Sequence, residues 1–204
     1  MSYGCTTAPY EYNPMGMFRS ARKNDITLWD HGVVPYELKS SANLTSTFLA
    51  AVAQIEEATC LVFRERTSEA AYMSVESKCD CTKYFCPNAG SVSGLGKNSP
   101  STMEIHACVR PDREGDVGFI VHEIGHSLGL VHTQTRPDRD EYIRVNKQNI
   151  RSDESAQFQY KKCSACQIYN TSYDCMSVMH YRDHFLRKAG RRGPTMTPMK
   201  RLVY

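Results

Sequence analysis

His122-Glu123-Ile124-Gly125-His126-Ser127-Leu128-Gly129-Leu130-Val131-His132 places three imidazoles and a carboxylate within eleven residues. Residues four apart share a helix face, so His122 and His126 can grip one metal ion while Glu123 leans over its open side. Gly129 has no Cβ and can take the left-handed conformation that ends a helix, turning the chain so that His132 returns as a third nitrogen ligand. Three protein ligands leave a fourth position for water. That is the arrangement of a catalytic zinc, since a structural zinc is closed by four protein ligands. A bare His-Glu-x-x-His recurs by chance in unrelated chains, and the glycine and third histidine at fixed offsets make this one specific.

Imidazole-bound zinc lowers the pKa of its water to about 7 and polarises a carbonyl as a Lewis acid. Glu123, as general base, takes the proton of the attacking water and passes it to the leaving amine. The reaction is then amide hydrolysis without a covalent intermediate, with one zinc per chain.

Working outward, Val117, Ile120, Val121, Ile124 and Leu128 recur at helical spacing and form the buried back of the metal-binding helix. Leu44, Phe48, Val52 and Ile55 make a second amphipathic stripe. Residues 60–66 and 71–76 are short β-rich runs, and residues 102–107 alternate with Met103, Ile105 and Ala107 inward. Residues 29–38 read as a strand at a sheet edge, because Gly32 and Pro35 suit an edge. Residues 78–100 read as a cysteine- and glycine-rich loop, and residues 153–160 as a short helix.

The chain of 204 residues suffices for one domain, or two lobes around a cleft. Its net charge of +3 is too small and too dispersed to argue for nucleic acid, and the basic stretch at 187–192 reads as a solvated surface. No apolar run is long enough to span a membrane. Nine cysteines, none needed by a three-histidine site, point to disulfides, an oxidising compartment and a secreted protein. The sequons Asn43-Leu44-Thr45 and Asn170-Thr171-Ser172 fit a secreted glycoprotein. Residues 1–22 lack the apolar core of a signal peptide and read as an irregular leader or propeptide remnant, which puts the expected N-terminus upstream of Met1. Arg19-Ser20-Ala21-Arg22-Lys23 offers a processing protease a basic site, as a zymogen requires. Because nine is odd, at least one cysteine is free or paired outside the chain.

Ser177-Val178-Met179-His180-Tyr181 resembles the methionine turn of the metzincins. Together with the zinc stretch, Arg136-Pro137-Asp138-Arg139-Asp140 and the segment from Trp29 to Tyr36, it resembles the astacin family over about residues 24–200. The resemblance implies an α+β fold: a metzincin-type zinc protease domain at 23–204, a mixed sheet with an active-site helix, and two lobes flanking a cleft. It implies that Met179 lies beneath the histidines and that Tyr181 both ligates zinc and hydrogen-bonds the developing oxyanion. It also implies that the 102–107 strand pairs with an extended protein or peptide substrate bound in the cleft.

Three positions depart from the family pattern. Thr133 stands where astacins carry a glutamate that meets the buried N-terminus of the mature enzyme, and a hydroxyl cannot neutralise an ammonium group. Cys60 matches a family cysteine whose partner lies near the domain's end, yet the 23 residues after Tyr181 include no cysteine. Cys60 is therefore the candidate unpaired thiol, and the C-terminal end reads as truncated or divergent. The leader has none of the aspartate with which family propeptides block zinc. For the second family disulfide, Cys79 or Cys81 bridges Cys108, with Cys86 closing a loop to the other of the pair. Cys163, Cys166 and Cys175 are disulfide candidates before the methionine turn. His31, His106, His180 and His184 lack zinc spacing and read as surface or packing residues. The competing reading is a catalytically impaired astacin-like binding module, motivated by Thr133 and the C-terminal end.

Overall fold

In residues 101–106, Ser101, Met103 and Ile105 are buried while Thr102, Glu104 and His106 are half-buried, the period-two pattern of a strand with one face on a core. The computed structural model describes residues 21–22, 28–39, 41–80, 89–93, 96–97, 101–159, 166–167 and 171–199. Its strands are β1 (Ala21–Arg22), β2 (Val33–Lys39), β3 (Val62–Glu65), β4 (Met73–Ser77), β5 (Ala89–Val92), β6 (Ser101–His106), β7 (Ile143–Val145), β8 (Cys166–Gln167) and β9 (Met196–Pro198), and its α-helices are α1 (Ala42–Ala58) and α2 (Glu114–Ser127). The chain divides into two units, Asn24–Leu130 and Met1–Lys23 with Val131–Tyr204.

The unit Asn24–Leu130 holds a mixed five-stranded sheet of order β3-β2-β4-β6-β5, parallel except for β5, which runs antiparallel to β6. On α1 the stripe residues Leu44, Phe48, Val52 and Ile55 are all buried, Ser41 caps the helix by accepting from the Leu44 N–H, and Phe48 meets Tyr36 of β2 edge-on at 5.1 Å. Val117, Ile120, Val121 and Ile124 of α2 are buried. That helix packs on α1 and lies against β5 and β6. Glu114 and Asp116 sit in its first turn, where the helix dipole favours anions.

Two sequence expectations need correction. Residues 33–39 form no edge strand, since β2 pairs with β3 on one side and β4 on the other. Pro35 is tolerated because the Tyr36 carbonyl accepts from Arg66 on the β3 side, so by alternation Pro35 faces the β4 side just before pairing there begins at Tyr36↔Met73. Nor can the 102–107 strand take an added peptide strand, because β6 is already paired along both sides. Among the described residues β3 and β5 end the sheet, and β5 is a strand inside the stretch read as loop. Ala89-Gly90-Ser91-Val92 is poor in β-branched and aromatic residues, and its register against β6 makes it a strand.

In the second unit Ile143, Ile150, Phe158, Tyr173, Cys175 and Met196 form a core, beside which β7 and β9 pair antiparallel. Two buried guanidiniums organise the turns around it. Arg136, 1% exposed, meets the Asp138 carboxylate through two nitrogens at 2.9 and 2.7 Å and donates to the Thr171 and Ser172 carbonyls. Arg139 donates to the Gln134 and Phe158 carbonyls and pairs with Asp140. Residues 152–158 form a 3-10 helix where the sequence suggests a short helix. β1 pairs with β8, which contains Cys166.

Cys79, Cys108 and Cys175 are disulfide-bonded, and Cys60 is free and exposed. Cys81, Cys86, Cys163, residues 1–20 and Asn170 lie outside the described residues. Among those described, no helix is long and apolar enough to cross a membrane.

Trp29 ties the start of the first unit to the end of α2 by donating from Nε1 to the buried Ser127 carbonyl at 2.8 Å. Trp29→Phe strands that carbonyl, with an expected loss of about 1–3 kcal/mol in unfolding free energy. Denaturant titration followed by far-ultraviolet circular dichroism checks it, and an unchanged midpoint would dismiss the contact as a stabilising one.

Candidate metal centre

α2 carries His122 and His126 one turn apart, their ring centroids 4.8 Å apart and nearly perpendicular. The helix ends in the arrangement Gly129 makes possible. Its φ is +98°, its N–H reaches the His126 carbonyl, and the Leu130 N–H reaches back to the Gly125 carbonyl, both at 2.9 Å. This pair of bonds is a Schellman motif, which closes the helix and reverses the chain. The ring nitrogens of His122, His126 and His132 all lie within 4.8 Å of one another, and among the described residues they form the one group of three or more such side chains that could hold a metal.

Hydrogen bonding orients the His126 ring. Its Nδ1 lies 2.9 Å from the Leu130 carbonyl, which can only accept, so Nδ1 carries the proton and Nε2 keeps its lone pair for a metal. Glu123 is 4% exposed, and burial alone raises its carboxyl from the ordinary 4.5 to about 7. Its side chain lies against Gly90 of β5.

In the second unit the chain leaving His132 is tied to the methionine turn. The Thr133 N–H donates to the Met179 carbonyl at 2.9 Å, and the Tyr181 N–H donates to Gln134 Oε1 at 3.2 Å. Met179 is buried, within a turn closed by the His180 N–H on the Ser177 carbonyl. The Tyr181 ring sits 4.4 Å from that of His132 and also touches Phe158 and Phe185. Thr133 is itself buried.

Sequence reasoning passes over the residues that hold Tyr181. Gln134 takes its N–H, and His180, read only as packing, donates from Nδ1 to its carbonyl at 2.6 Å. His180 Nε2 then accepts from the Tyr173 hydroxyl at 2.9 Å. Burial lowers the His180 pKa and so keeps the ring in the neutral form this relay needs, while burial raises that of Tyr173. Gln134 stands 47 residues from Tyr181, which leaves no local pattern to detect. His31 and His184 are exposed and His106 pairs with Glu104, so none joins the triad.

Three convergent imidazole nitrogens beside a buried carboxylate, two of the rings carried on a helix packed against a mixed sheet, define the class of zinc metallopeptidase domains. Within that class the family model described as Astacin, a peptidase family, matches residues 21–203, and the chain belongs to the astacin family. Protein SpAN of Strongylocentrotus purpuratus is 35% identical over 83% of this chain and 26% of its own length. Astacin-like metalloprotease toxin 1 of Loxosceles intermedia is 29% identical over 94% of this chain and 68% of its own. High choriolytic enzyme 1, a hatching enzyme zinc-protease from the medaka fish Oryzias latipes, superposes with a TM-score of 0.67 at 29% identity, covering 95% of this chain and 86% of that one. The chain spans about a quarter of the length of SpAN. The donor set fits zinc, for which imidazole nitrogen is an ordinary ligand and three protein ligands are the number a catalytic site uses.

Burial of Glu123 sets a pH dependence in protein stripped of metal. The folded-state value lies above the unfolded one, so the stabilisation is full below about pH 4.5 and is lost as the pH rises through about 7. The loss is at most about 3 kcal/mol. Denaturant midpoints across that window are expected to fall more in the wild-type chain than in Glu123→Gln; parallel curves would contradict the burial argument.

Proposed function

We propose that this chain is the catalytic domain of a secreted zinc endopeptidase that hydrolyses peptide bonds in protein substrates. The observation that carries the reading is the convergence of the His122, His126 and His132 nitrogens next to the buried Glu123. Residues 23–204 are read as the catalytic domain and residues 1–22 as a leader removed at the basic stretch ending in Lys23. Disulfide-bonded Cys79, Cys108 and Cys175, and an exposed Asn43 sequon at the start of α1, support an oxidising, glycosylating compartment.

His122, His126 and His132 hold the zinc, one per chain, which when bound acidifies water and polarises the scissile carbonyl. Glu123 receives the proton of the attacking water on its carboxylate and delivers it to the leaving amine. Its dry surroundings make the carboxylate a stronger base than one in solvent. Tyr181 serves from its phenol, as a ligand at rest and as a hydrogen-bond donor to the developing oxyanion. Gln134 and His180 position it by fixing its backbone on both sides. An extended substrate adds to the open edge of β5, taking main-chain hydrogen bonds there.

A second reading, a zinc-binding module without turnover, draws on the buried Thr133 at the family's glutamate position. The two separate in one experiment. The processed protein is assayed on an unfolded protein substrate, with zinc quantified in the same sample. The enzyme reading expects one zinc per chain, chelator-sensitive cleavage and a loss of about 10²–10⁴-fold in kcat for Glu123→Gln with zinc retained. Zinc without cleavage favours the binding module, and full activity in Glu123→Gln would end the proposed mechanism. For Tyr181→Phe the expected fall in kcat is about 10²-fold with little change in zinc content. An unaltered kcat would remove the phenol from the mechanism.

A further inference from the structure

Gly90 sits in the middle of β5, and nothing in its backbone calls for glycine. Its φ lies outside the positive range that Gly32, Gly96, Gly129 and Gly190 occupy, so any residue could adopt its conformation. Its register partner is Ile105, fully buried, and cross-strand partners share a face. Gly90 and Val92 are half-buried while Ala89 and Ser91 are exposed, so position 90 faces inward. In front of it is Glu123. A Cβ at 90 would come within 2.5 Å of Glu123 Oε1, 2.6 Å of Cδ and 2.9 Å of Cγ.

We propose that Gly90 is a positioning residue: the missing side chain at this point of β5 is the seat of the Glu123 carboxylate. The proposal rests on Glu123 acting as the base. All three close atoms belong to the flexible end of one side chain and none to backbone. An added methyl group is therefore accommodated by swinging the carboxylate aside, with β5 and α2 left in place. Fold and metal ligands survive the change, and the position of the base does not. By contrast, a Cβ at Gly118, on the same helix as Glu123, would meet nothing within 4 Å.

The test compares the wild-type chain with Gly90→Ala, Gly118→Ala and Glu123→Gln. Thermal midpoint, zinc content, kcat and KM on a common peptide are measured for each, and a crystal structure is determined of zinc-free Gly90→Ala. The expected result for Gly90→Ala is normal folding and zinc content, little change in KM, and kcat lowered about 10²-fold, the scale on which a misplacement of about 1 Å acts. Its structure shows the Glu123 carboxylate displaced over unshifted β5 and α2 backbones, and Gly118→Ala behaves as wild type. A double variant reports independently of activity: once Glu123→Ala has removed the colliding atoms, adding Gly90→Ala does not lower the thermal midpoint and raises it if anything, because an alanine strengthens a strand that a glycine weakens. Wild-type kcat in Gly90→Ala beside an inactive Glu123→Gln would overturn the inference alone. So would an undisplaced carboxylate, or failure of Gly90→Ala to fold, because the flexible side chain is what should yield. An active Glu123→Gln would instead remove the general base, and the role of Gly90 with it.

Discussion

The chain reversal at Gly129 is the constraint on which the metal centre depends. A helix can offer two imidazoles on one face, but a third from the same helix would lie a further turn along and point past the ion. The Schellman bonds of Gly129 and Leu130 halt α2 one residue after its last turn and redirect the chain so that His132 arrives within reach of the other two. The requirement is conformational: a Cβ at 129 would meet the Gly96 Cα at 3.7 Å, ordinary contact, while a φ of +98° strains any residue that carries a Cβ. The same turn orients a ligand it does not contain, since the Leu130 carbonyl it presents accepts from His126 Nδ1. Helix termination, ligand tautomer and ligand position are thus one local event.

The chain beyond His132 is held just as firmly. Thr133 and Gln134 reach the methionine turn with a backbone donor and a side-chain acceptor, and Tyr181 is clasped at both its N–H and its carbonyl. Tyr173 links that clasp to the unit's core, stacking on Tyr142 at 4.7 Å and lying beneath the Arg136 guanidinium. Two buried arginines are an expensive way to hold turns, because each charge must be lifted out of water. Arg136 meets that cost with a two-point carboxylate contact and two carbonyls, leaving little freedom in the chain around it. The two roles proposed for the Tyr181 phenol both call for a backbone held in one place.

The legible parts of the sequence are those whose physics is local. The spacing of His122, Glu123, His126, Gly129 and His132, the stripe on α1 and the buried back of α2 each depend on helix geometry alone, and all are readable. The failures come where tertiary pairing overrides composition. Ala89-Gly90-Ser91-Val92 has no strand signature, and becomes one by joining β6; Pro35 suggests an edge, and sits in an interior strand because its missing donor falls beyond the end of β4. Trp29 gives no hint of a partner 98 residues away, and Arg136 and Arg139 are visible only as a family mark, without their acceptors.

These misses bear directly on the candidate site, because the strand that composition conceals is the one against which the Glu123 side chain lies. Glu123 is placed where a carboxylate is costly, buried and shifted to about 7 by desolvation alone. A fold selected for stability would fill position 90 with a side chain and turn the carboxylate outward to water. Leaving a glycine there accepts a weaker strand and a strained acid together, the local conflict expected at a functional site and not in a packing core. A dication held by His122, His126 and His132 favours the ionised form of a neighbouring carboxylate, so the acid and the metal site each reduce the cost of the other. The three imidazoles, the buried carboxylate and the bare strand position are then parts of a single electrostatic solution, distributed over one helix, one turn and one strand.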